Sequence, residues 1–200
     1  VIDPLNVTAC LITRGDTDLA PIIDTLPYGE ILIWDNERPD LKVYGRYELI
    51  LEASNDIVYL QDDDCIFRHH DELLDAYKPG VLVANWGHGE HPCGYEDVAL
   101  VHGGSLVDRS LPTLAFDRYL ALFDRDDDFL READMISGCL TPHEHVHLPY
   151  EILPLASDPS RMCNQKWQRE KKLRVTNRCR WIRDHVSGVP SKTDSMSVTR

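Results

Sequence analysis

Short apolar runs, each closed by polar or turn-forming residues, dominate the first 85 positions of the chain. The run at 7–13 carries Val7, Ala9, Cys10, Leu11 and Ile12 and stops at Arg14-Gly15-Asp16, which predicts a strand buried on both faces. Asp18 precedes Pro21 at the spacing of a capped short helix, and Tyr28-Gly29 turns the chain into a second buried run, 31–34, ending at Asp35-Asn36. Apolar spacing predicts a helix over 44–53, Ser54-Asn55-Asp56 a turn, and the run 57–60 a third strand. Strands alternating with helical crossovers make a parallel sheet, so the expected fold class is α/β.

The pattern then loosens. Residues 71–77 read as a helix closed by Lys78-Pro79-Gly80, 81–84 as a fourth strand, and 85–94, rich in Gly, Pro and His, as a loop. Residues 98–101 fit a strand before His102-Gly103-Gly104-Ser105, and 112–123 an amphipathic helix. Asp127-Asp128-Phe129 opens a helix that carries Glu132 and Asp134 and ends near Gly138. A late strand is expected at 151–155, a basic helix at 159–174 and a flexible tail at 187–200, with no internal repeat.

Each of the first three strands ends in polar residues: Arg14 and Asp16, Asp35 and Asn36, then Asp62-Asp63-Asp64. Ligands of open α/β sheets bind beyond the carboxyl ends of the strands, so these groups should meet at one edge. Three adjacent carboxylates repel one another and call for a divalent cation or a set of donors. An acidic surface turn is the plain alternative.

A chain of 200 residues, 42% hydrophobic and 28% charged, is the size of one domain with a real core. No apolar run approaches the roughly 18 residues of a membrane span. The chain starts at Val1, with no leader before Asn6, and is expected to have been trimmed. Six cysteines without CxxC spacing argue against zinc ribbons and disulfide scaffolds, and favour free thiols in a cytoplasmic location; a Cys139–Cys163 bridge stays open. The net charge of −13 is uneven: residues 1–159 hold 10 basic and 31 acidic side chains, residues 160–200 hold 11 and 3. The basic segment is therefore expected to meet an anion, while the acidic body weighs against non-specific DNA binding.

The order and spacing of 8–14, 31–36 and 58–64 resemble the nucleotide-sugar-dependent glycosyltransferases of the GT-A fold. Their first strand opens a nucleotide pocket, their second ends in Asp, and their DxD motif follows an apolar strand. The resemblance covers residues 1–85. Arg131-Glu132-Ala133-Asp134-Met135 and Ser160-Arg161-Met162-Cys163-Asn164 further resemble the exostosin-like branch, departing from it where Ala133 separates the two acids.

The resemblance implies a Rossmann-like, mixed but mainly parallel sheet flanked by helices in a single domain, 1–186, with a nucleotide-binding half at 1–85 and an acceptor-side half at 86–186. It implies Mn²⁺ or Mg²⁺ held by Asp64 with Asp62, the latter also facing the nucleotide, and Asp63 joining either. Thr13 and Arg14 would line the base pocket, Asp35 would bond base or ribose, and Arg161 would fold over the diphosphate. Asp134 would stand at the acceptor hydroxyl, as general base if the enzyme inverts, with Glu132 in reserve. The implied donor is a nucleoside-diphosphate sugar, UDP-hexose or UDP-N-acetylhexosamine, and the acceptor a glycan, a lipid-linked glycan or a hydroxylated nucleic-acid base reached through 161–183.

Arg46 reads either as a phosphate ligand or as an exposed helix residue. His143, His145 and His147 alternate as on a strand edge rather than as a metal face; His88 and His91 fall in the Gly-rich loop, and His185 is a late candidate ligand. A nucleotidyltransferase would want a Gly-rich, basic loop after the first strand, where this chain is acidic with one Gly. A non-catalytic sugar-nucleotide-binding module is the alternative from another class.

Overall fold

The computed structural model of the protein describes residues 2–37, 39–86, 95, 97–157, 159 and 165–186. The first apolar runs become strands where their pattern places them: β1 (Val7–Thr13), buried at every position, and β2 (Glu30–Asp35). Between them the short helix α1 (Ala20–Ile23) starts where Asp18 accepts a hydrogen bond from the Ala20 N–H at 3.0 Å. A 3₁₀ turn, Lys42–Tyr44, leads into α2 (Gly45–Glu52), and β3 (Ile57–Gln61) follows. A Cβ at Gly45 would lie 2.3 Å from the Trp34 ring, so only glycine lets α2 close onto β2 there. β2 departs from expectation: it is the sheet edge and only half-buried, with Ile33 41% exposed.

Beyond the three aspartates the chain forms β4 (Cys65–Phe67), α3 (His70–Ala76), β5 (Leu82–Asn85) and β6 (Ser105–Asp108). The run 98–101 is not a strand. Its four side chains are buried, and the Ala99 carbonyl lies against Gly138, where a Cβ would stand 1.8 Å away. The strand instead begins just after Gly104, whose φ of +95° bends the chain into it.

Helix α4 (Ser110–Leu120) precedes a helix broken in two, α5 (Asp127–Arg131) and α6 (Ala133–Leu140). The break falls at Glu132, whose backbone (φ −110°, ψ 22°) is not helical. β7 (His143–Val146), β8 (Tyr150–Ile152) and α7 (Lys166–His185) complete the fold. Of the basic helix expected at 159–174, the described part starts at Lys166 and runs on to His185; the expected tail at 187–200 and the loop at 87–94 lie outside the described residues.

Six strands make one sheet in the order β2-β1-β3-β6-β5-β7; β6 runs antiparallel to both neighbours and the other pairs are parallel. β4 and β8 form a separate antiparallel pair. Alternate strand residues serve the two faces: Cys10, Val58, Leu60 and Val107 pack with α2, α4, α6 and α7, while Val7, Ala9, Tyr59 and Leu106 pack with α3. α7 contributes Gln168, Val175, Cys179 and Ile182 at helical spacing to the first face.

Five basic side chains of α7 are engaged by the body of the molecule. Lys171 reaches Asp127 at 2.7 Å, Arg174 reaches Asp128 at 2.5 Å, Arg178 donates to the Tyr119 hydroxyl at 3.0 Å, and Arg180 and Arg183 reach Asp97 at 2.5 and 2.6 Å. Part of the charge asymmetry of the sequence is thus complementarity between a basic helix and the acidic body under it.

Candidate active site

The carboxyl ends of β1, β2 and β3 open onto a cleft of about 570 Å³. Four aspartates (Asp40, Asp62, Asp63, Asp64) and four cations (Arg14, Lys42, Arg46, Arg131) line it, with Thr13, Asn36 and Trp167 among the rest. Of the polar groups expected to meet from the three strand ends, Arg14, Asn36 and the acidic cluster line the cleft, and Asp16 and Asp35 do not.

The β3–β4 turn is braced from below. Gln61 is fully buried; its amide donates to the Cys65 carbonyl at 2.7 Å and accepts from the Tyr59 hydroxyl at 2.5 Å. The Asp62 N–H donates to the His102 carbonyl at 3.1 Å, and the Leu153 N–H to the Asp64 carbonyl at 2.8 Å. With the backbone so held, Asp63 is buried and accepts from the Thr17 hydroxyl at 3.1 Å, while Asp62 and Asp64 are half-buried in the cleft wall.

Arg46 is the residue the sequence leaves ambiguous, and it is not exposed. Its side chain is 1% exposed and donates through Nη2 to Asp62, while Nε lies 3.8 Å from Asp134 Oδ1. The Tyr47 hydroxyl holds that same oxygen at 2.8 Å. Nε and Nη1 of Arg46 are buried with no hydrogen-bond partner, an expensive arrangement for a charged group. One arginine thus bridges two carboxylates whose titrations diverge. Burial pushes Asp62 up, but Arg46 and His102 outweigh it and hold the carboxyl below its usual range. Burial, reinforced by Asp62, pushes Asp134 up against the pull of Arg46 and Tyr47.

Asp134 lies behind Arg46 and is not itself among the lining residues. Glu132 is placed elsewhere: 2% exposed, it accepts a hydrogen bond from Gln168 of α7, and burial raises its carboxyl to about 8. Like Asp134 it does not line the cleft, and its hydrogen bond turns it to α7, whereas Asp134 stands against Arg46.

Asp35 is exposed and caps its own turn, accepting from the Glu37 N–H at 3.0 Å. Its neighbour Asn36 lines the cleft instead, accepting from the Trp34 indole and the Leu41 N–H, both at 3.1 Å, and donating to the Lys42 carbonyl at 2.9 Å. Arg14 pairs with Asp16 at 2.8 Å. Arg161, with Cys163 and the rest of 160–164, lies outside the described residues, as do His88 and His91.

The histidines of β7 behave as a strand edge. His143 bonds the Thr141 carbonyl at 3.0 Å, His145 the Val98 carbonyl at 3.3 Å, and their rings meet at 5.3 Å. His185 stacks on Trp181 at the end of α7 and does not line the cleft. Cys10, Cys65, Cys139 and Cys179 are buried free thiols. Among the described residues no three His, Cys, Asp or Glu side chains form a metal cage. What the cleft offers is hard carboxylate oxygens at Asp62 and Asp64, a donor set that suits Mg²⁺ or Mn²⁺ when substrate phosphates supply further ligands. Among the described residues no helix is long and apolar enough to cross a membrane.

No protein-family model and no curated protein matches the chain. Solved structures do. Glucosyl-3-phosphoglycerate synthase from Mycobacterium tuberculosis, in complex with Mg²⁺ and uridine diphosphate, superimposes with a TM-score of 0.50 at 16% identity, covering 93% of this chain and 80% of that one. The same enzyme with Mn²⁺, UDP-glucose and phosphoglyceric acid gives 0.49 at 13% identity, covering 93% and 81%. The fold is accordingly GT-A, Rossmann-like: a mixed, mainly parallel sheet flanked by helices in one domain. None of these structures supports the exostosin-like branch.

Proposed function

We propose that the protein is a metal-dependent glycosyltransferase that moves a sugar from a nucleoside diphosphate to an acceptor hydroxyl. The observation that carries this reading is the cleft itself, in which Asp62, Asp63 and Asp64 join Thr13, Arg14 and Asn36 at the carboxyl ends of three parallel strands. The GT-A fold and the uridine diphosphate and Mg²⁺ held by the Mycobacterium tuberculosis enzyme support UDP as the donor's carrier.

Asp64, with Asp62, would hold Mn²⁺ or Mg²⁺, which when bound neutralises the charge developing on a departing diphosphate. The chain's own side chains do the rest. Thr13, Arg14 and Asn36 receive the nucleoside at the ends of β1 and β2, with Asp35 at the rim. Arg46 keeps Asp62 ionised and fixes its orientation. If the sugar is transferred with inversion, Asp134, whose affinity for a proton is raised by burial, is the base for the acceptor hydroxyl, reached past Arg46; with retention it orients donor and acceptor.

Hydrolysis of a panel of nucleotide sugars with and without Mn²⁺ tests the reading, because slow donor hydrolysis needs no acceptor. The wild-type chain should hydrolyse at least one UDP-sugar only with metal, and Asp64→Ala should lower that rate at least ~10²-fold. An Asp64→Ala rate equal to wild type sinks the assignment.

A further inference from the structure

Lys42 is the one non-glycine residue with positive φ among the described residues, at +55°. Left-handed backbone is unfavourable for a lysine and persists only where its surroundings hold it there. Here Asn36 grips the Lys42 carbonyl at 2.9 Å, and Asp40 takes the Lys42 N–H at 3.1 Å and its ammonium as well. The strain delivers the lysine to the cleft wall, where its side chain is 25% exposed.

A second cation is delivered to the same cleft. Arg131, at the end of α5, has its Nε 2.7 Å from Asp127 and its guanidinium 5.0 Å from the centre of the Trp167 ring. Lys171 shares both partners, 2.7 Å from Asp127 and 5.1 Å from the ring. The groups facing Lys42 are therefore Asp40 from its own loop and Asp127 and Arg131 from α5. Burial first, then Arg131, lowers the proton affinity of Lys42 against the opposing pull of Asp127, so two cations face the same stretch of wall. Trp167 leaves 41% of its surface open in the same wall. Strained backbone, paired cations and an open aromatic ring together mark a place prepared for an anion carried on an apolar face.

We propose that Lys42 and Arg131, backed by the Trp167 ring, form a phosphoryl-binding subsite in the wall of the cleft that also carries the three aspartates. The phosphoryl group belongs either to the donor diphosphate or to a phosphorylated acceptor. That choice rests on the glycosyltransferase reading; the affinity for phosphate does not.

Calorimetric titration of the full chain tests it, using inorganic phosphate, UDP and uridine as probes without metal. Lys42→Gly and Arg131→Gln should each weaken phosphate binding about tenfold or more, the scale of one lost charge-assisted contact. Lys42→Gly should at the same time unfold at higher urea, because glycine accepts the left-handed backbone; lost affinity in a more stable protein separates a binding role from a structural one. If the variants also weaken UDP but not uridine, the phosphoryl group is the donor's. If UDP binding is unchanged while phosphate binding falls, it is the acceptor's. Phosphate binding equal to wild type in both variants overturns the subsite. Absence of donor hydrolysis in the wild type would instead strike the proposed activity and leave the phosphate result standing.

Discussion

Two ion clusters of inverse composition stand in this molecule. In the cleft one arginine, Arg46, serves two carboxylates, Asp62 and Asp134; under α7 one carboxylate, Asp97, serves two arginines, Arg180 and Arg183. Asp97 accepts from Arg180 at 3.1 and 2.5 Å and from Arg183 at 2.6 Å, and its backbone carbonyl takes a further Arg183 bond at 3.3 Å. Burial works against its charge, but these bonds outweigh it and hold the carboxyl well below the usual range. The cleft cluster has no such closure: two buried N–H groups of Arg46 lack partners and its two acids are driven in opposite directions. A saturated cluster is a clamp, whereas an unsaturated one is held ready by the fold around it for something else.

Removing each hub should break the two clusters differently. Asp97→Ala strands two partly buried guanidinium groups and undocks the end of α7, at a cost of about 3 kcal/mol in urea unfolding. The figure is at the low end for such changes because Asp97 is 20% exposed. Metal-dependent donor turnover per folded molecule should not change. A loss below about 1 kcal/mol would mean that the clamp is ornamental.

Arg46→Met should do the reverse. Stranded carboxyls can take up a proton, which a stranded guanidinium cannot shed, so stability should fall by less than about 1.5 kcal/mol. Turnover should fall at least ~10²-fold, equivalent to about 2.7 kcal/mol in the barrier. Arg46→Lys should recover only part of it, since an ammonium keeps the charge but not the fork that faces both acids. Turnover intact in Arg46→Met alongside a stability loss matching Asp97→Ala would erase the contrast between the clusters.

The clusters also differ in how far they could be read from the chain. The first three strands and the acidic turn were legible because a buried strand and its polar end are written in consecutive residues, 7–16, 31–36 and 57–64. Arg46 was not: its neighbours Tyr47, Leu49 and Ile50 face the core, but nothing local says that the gap beneath holds Asp62 and Asp134. Only the resemblance of 131–135 to the exostosin-like branch singled out Asp134, and only tertiary packing shows it behind the arginine. The run 98–101 misled because an apolar run four residues long fits a buried segment as well as a strand, and β6 was missed because Gly103-Gly104-Ser105 looks like loop. The basic stretch of α7 was legible as charge but not as complementarity, since its partners, Asp97, Asp127 and Asp128, lie 44 to 86 residues upstream.

Acid should sharpen the comparison further. A carboxyl held below its unfolded value contributes stability above that unfolded value, about pH 3.9 for Asp, and loses it as pH falls further. Asp97 meets this condition, so the wild type should lose stability steeply below about pH 4, and Asp97→Asn should flatten that limb by about 2 kcal/mol in urea unfolding followed from pH 5 to pH 2. Asp134 is held above its ordinary value, so its contribution is full below about pH 3.9 and drains only as pH rises; Asp134→Asn should therefore leave the limb below about pH 4 close to that of the wild type. A limb equally flattened by Asp134→Asn would mean that the cleft cluster, too, is a clamp.

The smallest effect expected lies between the clusters, at Glu132, where the helix breaks and α7 crosses. Gln168 and Lys172 of α7, Asp128 of α5 and Asp134 of α6 surround this carboxyl, and burial raises it to about 8. The sign is opposite to that of Asp97. A folded-state value above the unfolded one, about 4.3 for Glu, gives stability that is full below that unfolded value and drains away as pH rises toward 8, by at most about 1.4 kcal/mol per unit. Wild type should therefore weaken from pH 5 to pH 8, and Glu132→Gln, which carries no charge to bury, should be nearly flat over that window and about 1–2 kcal/mol more stable than wild type at pH 8. The amide could also donate to the Gln168 oxygen, which is buried without a partner. Because Glu132 does not line the cleft, donor turnover in this variant should match wild type at pH 7; a large loss would return Glu132 to the acceptor side of the site.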